Sequence, residues 1–161
     1  MRLTARKHTL RISYTVLACA VVIACTRPTT TGVGINLGGE VGAVSLSATL
    51  FGASEVPGPG DPDGRGVARI TFHGARGDVC FEINVSDIDS AIAANIHEGL
   101  AGANGRVVVP LAPPTDGFVS DCTSGISPGV MLMIYENPTN FYVNVYTTPF
   151  PDGALRGQMT H

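Results

Sequence analysis

The sequence predicts an all-β protein: a single antiparallel β-sandwich, with Greek-key or meander-like connections and at most one short helix. Its 161 residues include 20 Gly and 11 Pro, which is typical of short strands joined by tight turns. Apolar and polar side chains alternate over residues 45–50, and residues 141–147 alternate strongly, as in strands with one buried face. Apolar residues make up 44% of the chain and charged residues 14%, a balance typical of globular rather than disordered proteins.

Seven or so short strands are expected between residue 43 and the C terminus, at the spacing typical of a sandwich or barrel. Turn residues separate them: Gly and Pro dominate residues 52–66, residues 74–77 close a hairpin, and Pro151-Asp152-Gly153 forms a later turn. The expected strands cover residues 45–50, 67–72, 78–85, 93–97, 107–111, 141–147 and 154–160.

One helix interrupts this series of strands. Residues 112–125 are polar and are expected to form a long loop. Ser127 then provides an N-cap and Pro128 occupies the first helical position, so a short helix is expected near residues 128–136. Pro138 prevents it from continuing.

The N-terminal residues are typical of an export signal and not of a folded element. Residues 1–11 are basic, and residues 12–24 form an apolar run that is shorter than the roughly 20 residues of a membrane-spanning helix. The run ends in Val22-Ile23-Ala24-Cys25, which resembles the lipobox of bacterial lipoproteins. We therefore expect a signal peptide over residues 1–24 and lipidation of Cys25. Cleavage without lipidation, after Ala24 or Ala18, and an uncleaved anchor are the alternatives.

The expected anchor and the charge together limit the partners of the protein. Residues 25–42 are expected to form a flexible tether, which begins with the polar residues 26–31 and joins the membrane-held lipid to a domain over residues 43–161. This places the domain at the cell membrane, on its extracytoplasmic face. From Cys25 onward the chain has six Arg and no Lys against 13 acidic residues, which makes it a poor ligand for nucleic acid.

Two cysteines remain outside the signal region, Cys80 and Cys122. Exported proteins form disulfides, so these two residues are expected to pair and to staple the long polar loop to a strand. A free structural thiol and a metal ligand are the alternatives, although neither cysteine has a second cysteine or a histidine at metal-site spacing.

Three segments of the domain, taken in order, resemble the chordin-type (CHRD) domain. They are residues 50–57 (LFGASEVP), residues 93–111 (AANIHEGLAGANGRVVVPL) and residues 137–158, which include NP, FYVNVYT, FPDG and RGQ. The resemblance covers residues 44–161 and implies an extracytoplasmic β-fold with no established enzymatic activity and no cofactor. The chain has Asn95 and Tyr146 at positions where this family usually has His.

The resemblance and the alternation together identify five candidate structural or binding residues: Asn95, His97, Glu98, Asn144 and Tyr146. The sequence favours a non-enzymatic binding or structural module that contacts an unknown protein or envelope ligand. His97 is expected to be a hydrogen-bonding group beside a loop. The alternative is a metal-binding or superoxide-dismutase-like protein that uses His97, because His97-Glu98-Gly99 also resembles a fragment of copper/zinc superoxide dismutases. We assign no catalytic residue and no metal ligand, since a redox copper site needs several histidines.

Overall fold

The computed structural model describes residues 43–161, so the expected signal peptide, Cys25 and tether lie outside the described residues. Eight strands and one α-helix follow one another in the described part of the chain, joined by turns and two single-turn 3₁₀ helices. The elements are β1 Val44–Phe51, β2 Arg65–His73, β3 Asp78–Ser86, β4 Ala91–Glu98, β5 Val107–Leu111, β6 Phe118–Thr123, α1 Pro128–Glu136, β7 Phe141–Thr147 and β8 Leu155–Gln158.

All eight strands belong to one antiparallel sheet in the order β5-β4-β7-β8-β1-β2-β3-β6. The two edge strands approach each other, and Thr123 Oγ1 of β6 donates to the carbonyl of Pro110 in β5 at 2.6 Å. The sheet is therefore nearly closed, and its two halves form the layers of a sandwich. The predicted all-β fold and its single short helix are both confirmed.

The core lies between the two halves of the sheet and follows from the alternation of each strand. In β7, Phe141, Val143 and Val145 point inward and are buried. Burying each such side chain contributes about 1.5–3 kcal/mol. Helix α1 begins as expected, because Ser127 Oγ accepts from the Val130 N–H at 3.3 Å. Within residues 43–161 no helix is long and apolar enough to cross a membrane.

The prediction of a loop over residues 112–125 is wrong in part, because β6 occupies Phe118–Thr123. This strand pairs with β3 along its whole length, yet none of its side chains is buried. Without a buried face it has no clear apolar alternation, so pairing to β3 and not burial makes it a strand.

Candidate functional site

The register of β4, β7 and β8 collects polar and aromatic residues on the outer face of the sheet. Asn95 is paired with Asn144 and Asn144 with Arg156 across the three strands, while His97, Tyr142 and Gln158 form the next row. Because side chains alternate along a strand, all of these point away from the core. The outer polar layer consists of these six residues and Tyr146.

His97 lies in this layer with both ring nitrogens engaged. Its Nδ1 is 2.9 Å from the carbonyl oxygen of Gly105, which only accepts, so Nδ1 carries the proton and donates. Nε2 is then an acceptor, and the hydroxyl of Tyr146 donates to it at 2.8 Å. Burial lowers the pKa of His97, and the nearby Arg156 adds to that effect while the bond to Gly105 opposes it. His97 is therefore a neutral imidazole held in one tautomer.

Tyr142 forms the floor under this imidazole. The two rings stack at 4.9 Å between centroids and 10° between planes, and the Tyr142 hydroxyl accepts from the Gly105 N–H at 3.2 Å. The guanidinium of Arg156 lies 3.5 Å from the centre of the Tyr142 ring, which is a cation–π contact. The three residues form a compact stack against β7.

Arg156 holds the loop between β4 and β5 against this stack. It is 1% exposed, and its guanidinium donates to the carbonyls of Leu100 and Ala103 and to Asn104 Oδ1 at 2.8–3.3 Å. Gln158 adds bonds to the carbonyls of Gly99 and Thr139. The loop carbonyls thus obtain donors that backbone pairing does not provide.

Glu55 is the buried acid of the site. It follows the short 3₁₀ helix after β1 and is 5% exposed, and neither of its carboxyl oxygens has a hydrogen-bond partner. Burial raises its pKa to about 7, although Arg156 and an interaction with Asn144 oppose the shift. Asn144 Oδ1 is also buried without a partner. A protonated Glu55 can donate to that oxygen, so protonation offers the two groups a way to satisfy each other.

Four of the five candidate residues lie together, and one lies apart. Asn95, His97, Asn144 and Tyr146 belong to the outer polar layer. Glu98 instead pairs with Arg106 at 2.8 Å near the surface, where such a pair contributes little to stability.

Sequence reasoning missed Glu55, Tyr142, Arg156 and Gln158 as members of the site. Residues 50–57 and 156–158 carry the family resemblance, and their single acid and single cation were the available signal. The register that joins a residue near position 55 to one near position 156 cannot be read from the chain.

The other half of the sheet carries the expected disulfide. Cys80 of β3 and Cys122 of β6 are directly opposite each other and are joined by a bond with an S–S distance of 2.06 Å. The prediction of this bridge is confirmed. It joins two paired strands, and not a strand and a loop as expected.

The arrangement offers little to a substrate. The Nε2 lone pair of His97 accepts from Tyr146, and the oxygens of Glu55 are buried. Among residues 43–161, no three His, Cys, Asp or Glu side chains are placed to hold a metal ion. What the layer can do chemically is to fix two loops to the sheet through paired polar groups.

Comparison with curated proteins and with solved structures gives no significant match. Comparison with protein-family models gives one match, to the CHRD domain over residues 46–159. This match spans β1 to β8 with the outer polar layer and most of the chain, and the chain therefore belongs to the CHRD domain family.

Proposed function

We propose that the protein is a lipid-anchored exported lipoprotein whose CHRD domain acts as a non-enzymatic binding module for a protein of the cell envelope. The observation that carries the non-enzymatic part is the pairing inside the outer polar layer. A general base needs a free lone pair within reach of a substrate, and that of His97 Nε2 is occupied by Tyr146. The buried groups of the layer instead support a rigid scaffold.

The binding part is supported by three exposed apolar side chains on the outer face of the other half of the sheet. Phe51, Val67 and Phe118 are each about half exposed. Register places Val67 and Phe118 in one row, on either side of Asn84, with Phe51 diagonal to Val67. A shallow cavity of about 420 Å³ lies beside Phe51 and Val67. We call these three residues the apolar surface. Exposed apolar groups of this kind mark protein contact sites more often than chance.

The position of the apolar surface favours an envelope protein over the membrane as its partner. The tether would enter the domain at Val44, where β1 begins, whereas Phe51 ends the same strand. Eight residues of extended chain separate the two ends by about 25 Å. A domain anchored through Cys25 would thus hold the apolar surface away from its attachment point.

Site-directed photocrosslinking in the native cell envelope tests this proposal. A photoreactive residue at position 67 should capture a partner, whereas one at Ser45, exposed on the same face near the other end of β1, should not. Phe51→Ser should abolish the capture from position 67 while leaving the melting temperature unchanged. Equal capture from both positions, or capture that persists in Phe51→Ser, would contradict the proposed surface.

A further inference from the structure

Strand β6 is attached to the domain in an unusual way. None of its six side chains is buried, and even Val119, which points inward, is only half-buried. Asp121, which also points inward, is exposed. Burial of apolar surface, the main stabilising contribution for the other strands, is thus nearly absent here.

Three kinds of contact hold β6 in place. One is its backbone ladder with β3, and a second is the bond from Thr123 Oγ1 to Pro110. The third is the disulfide between Cys80 and Cys122, which closes a separation of 42 residues. Of these, the disulfide is the only covalent contact, and it limits how far β6 can move from the sheet.

The disulfide is open to chemical attack. It lies on the outer face of the sheet, where Cys122 is exposed and Cys80 is half-buried. A cavity of about 450 Å³ borders both cysteines and is lined on its rim by Arg69, His73, Glu82 and Asp121. An incoming thiolate can therefore reach the sulfur of Cys122 along an open path, and access is one determinant of exchange rates.

We propose that the Cys80–Cys122 disulfide is a site of reversible reduction by a protein dithiol, and that its opening releases β6 from the sheet. One thiolate of the dithiol attacks Cys122 Sγ, forming a mixed disulfide, and Cys80 leaves as a thiolate that takes up a proton. The second thiol of the partner, as its thiolate, then attacks the partner's own sulfur and releases Cys122. The protein disulfide is reduced to two thiols while the dithiol is oxidised to a disulfide.

Release of β6 would change the apolar surface, and this step rests on the proposed function. Phe118 begins β6, whereas Phe51 and Val67 lie on β1 and β2, which pack into the core. Reduction would therefore remove Phe118 from the surface and leave the other two in place. It would also expose the edge of β3 that β6 covers. The redox state of one disulfide thereby controls whether the binding surface is complete.

Amide hydrogen exchange read by mass spectrometry, with dithiothreitol as the reducing dithiol, tests the release itself. Reduction should accelerate exchange in Phe118–Thr123 by about tenfold or more, while β1 and β2 stay protected. Cys80→Ser with Cys122→Ser should reproduce the effect without reductant. Glu82→Ala with Ser120→Ala, the neighbouring pair on the same two strands and the same face, should leave the exchange of β6 unchanged.

Two results would overturn the inference. One is unchanged protection of β6 after both thiols are shown to be free. The other is loss of protection throughout the domain, which would make the disulfide a staple of the whole fold. Failure of the photocrosslinking experiment would contradict the proposed partner surface but would leave the exchange result intact, so the two proposals fail separately.

Discussion

His97 shows at the scale of a single residue how a histidine on a strand becomes part of the scaffold. Its Nδ1–H donates to the Gly105 carbonyl and its Nε2 accepts from Tyr146, so each ring nitrogen has one partner. The Tyr146 hydroxyl occupies the side of the ring that a metal would need. The alternative of a metal-binding or superoxide-dismutase-like protein finds no support in this geometry, since a metal at Nε2 must first displace the phenol.

Removing either partner of the His97–Tyr146 bond should destabilise the domain. We expect Tyr146→Phe to lower the free energy of unfolding by about 1–2 kcal/mol and His97→Ala by about 1–3 kcal/mol, because each leaves a buried polar group unpaired. The double variant should lose less than the sum of the two. Urea denaturation of all four proteins measures this coupling. Added Zn²⁺ or Cu²⁺ should raise the melting temperature of wild type no more than that of His97→Ala.

Glu55 should make the stability of the protein depend on pH. Its pKa is about 7 in the folded state, against 4.5 as the ordinary value. Between these values the folded state keeps a proton that the unfolded state has lost, so stability should fall as pH rises from 4.5 to 7. We expect a loss of roughly 2–3 kcal/mol relative to Glu55→Gln, which cannot ionise.

Denaturation of wild type and Glu55→Gln across pH 4–8 measures this effect. The exposed Glu136→Gln serves as a control and should follow the wild-type curve. Parallel curves for wild type and Glu55→Gln would show that Glu55 has the same pKa in the folded and unfolded states.

Glu55 and Arg156 also mark what residue patterns leave out. Alternation predicts which face of β7 is buried, and the resemblance to the CHRD family points to Asn95, His97 and Tyr146. Neither shows that Glu55 lies close enough to Arg156 for their charges to interact, because about a hundred residues separate them. That proximity arises only when β8 pairs with both β1 and β7.

At the scale of elements, the accuracy of prediction follows burial. Strands β5 and β7 have the bounds expected from the sequence, and α1 begins at the residue after its predicted cap. These elements carry their own signals, which are alternation, Ser127 and Pro128. Strand β6 carries no such signal, because it is stabilised by its neighbour β3 and by a disulfide, and so it could not be predicted from its own sequence.

Two glycines in regular elements should respond to alanine in opposite ways. A Cβ at Gly157 of β8 would lie 2.1 Å from the Thr49 carbonyl oxygen, so Gly157→Ala should force β8 away from β1 and lower stability by about 2–4 kcal/mol. A Cβ at Gly129 of α1 meets nothing within 4 Å. Gly129→Ala should therefore raise stability by about 0.5–1 kcal/mol through helix propensity.

Thermal and urea unfolding of the two glycine variants check this pair. Their opposite signs make the comparison informative, since a general sensitivity to added methyl groups would destabilise both. A neutral Gly157→Ala would mean that β1 and β8 tolerate a wider separation than the close approach of their backbones indicates.

At the scale of the whole molecule, the two halves of the sheet have different outer faces. The half formed by β4, β7 and β8 is covered by two loops that Arg156 and its neighbours help to hold, and its polar groups bond to one another. The half formed by β1, β2, β3 and β6 leaves its outer face open, with the apolar surface and the disulfide on it. This division assigns scaffolding to one half and partner contact to the other.

The proposed anchor determines how this open face is presented. Val44 starts β1 directly after the expected tether, so the chain from Cys25 enters the domain at the opposite end of β1 from Phe51. One acyl chain holds a protein to a membrane only marginally, whereas two or more hold it stably. Diacylglycerol on Cys25 would therefore keep the domain at the membrane while the tether leaves the apolar surface free to meet a partner.

Cys25→Ala should release the protein from the membrane, because it removes the only attachment that the Val22-Ile23-Ala24-Cys25 junction provides. Detergent phase partitioning should find wild type in the detergent phase and the variant in the aqueous phase. Cys19→Ala is the matched control, since Cys19 follows a similar Val16-Leu17-Ala18 sequence and should not affect partitioning. Retention of a normally processed Cys25→Ala protein in the detergent phase would contradict the assignment of Cys25, and release by Cys19→Ala would move the anchor to the earlier cysteine.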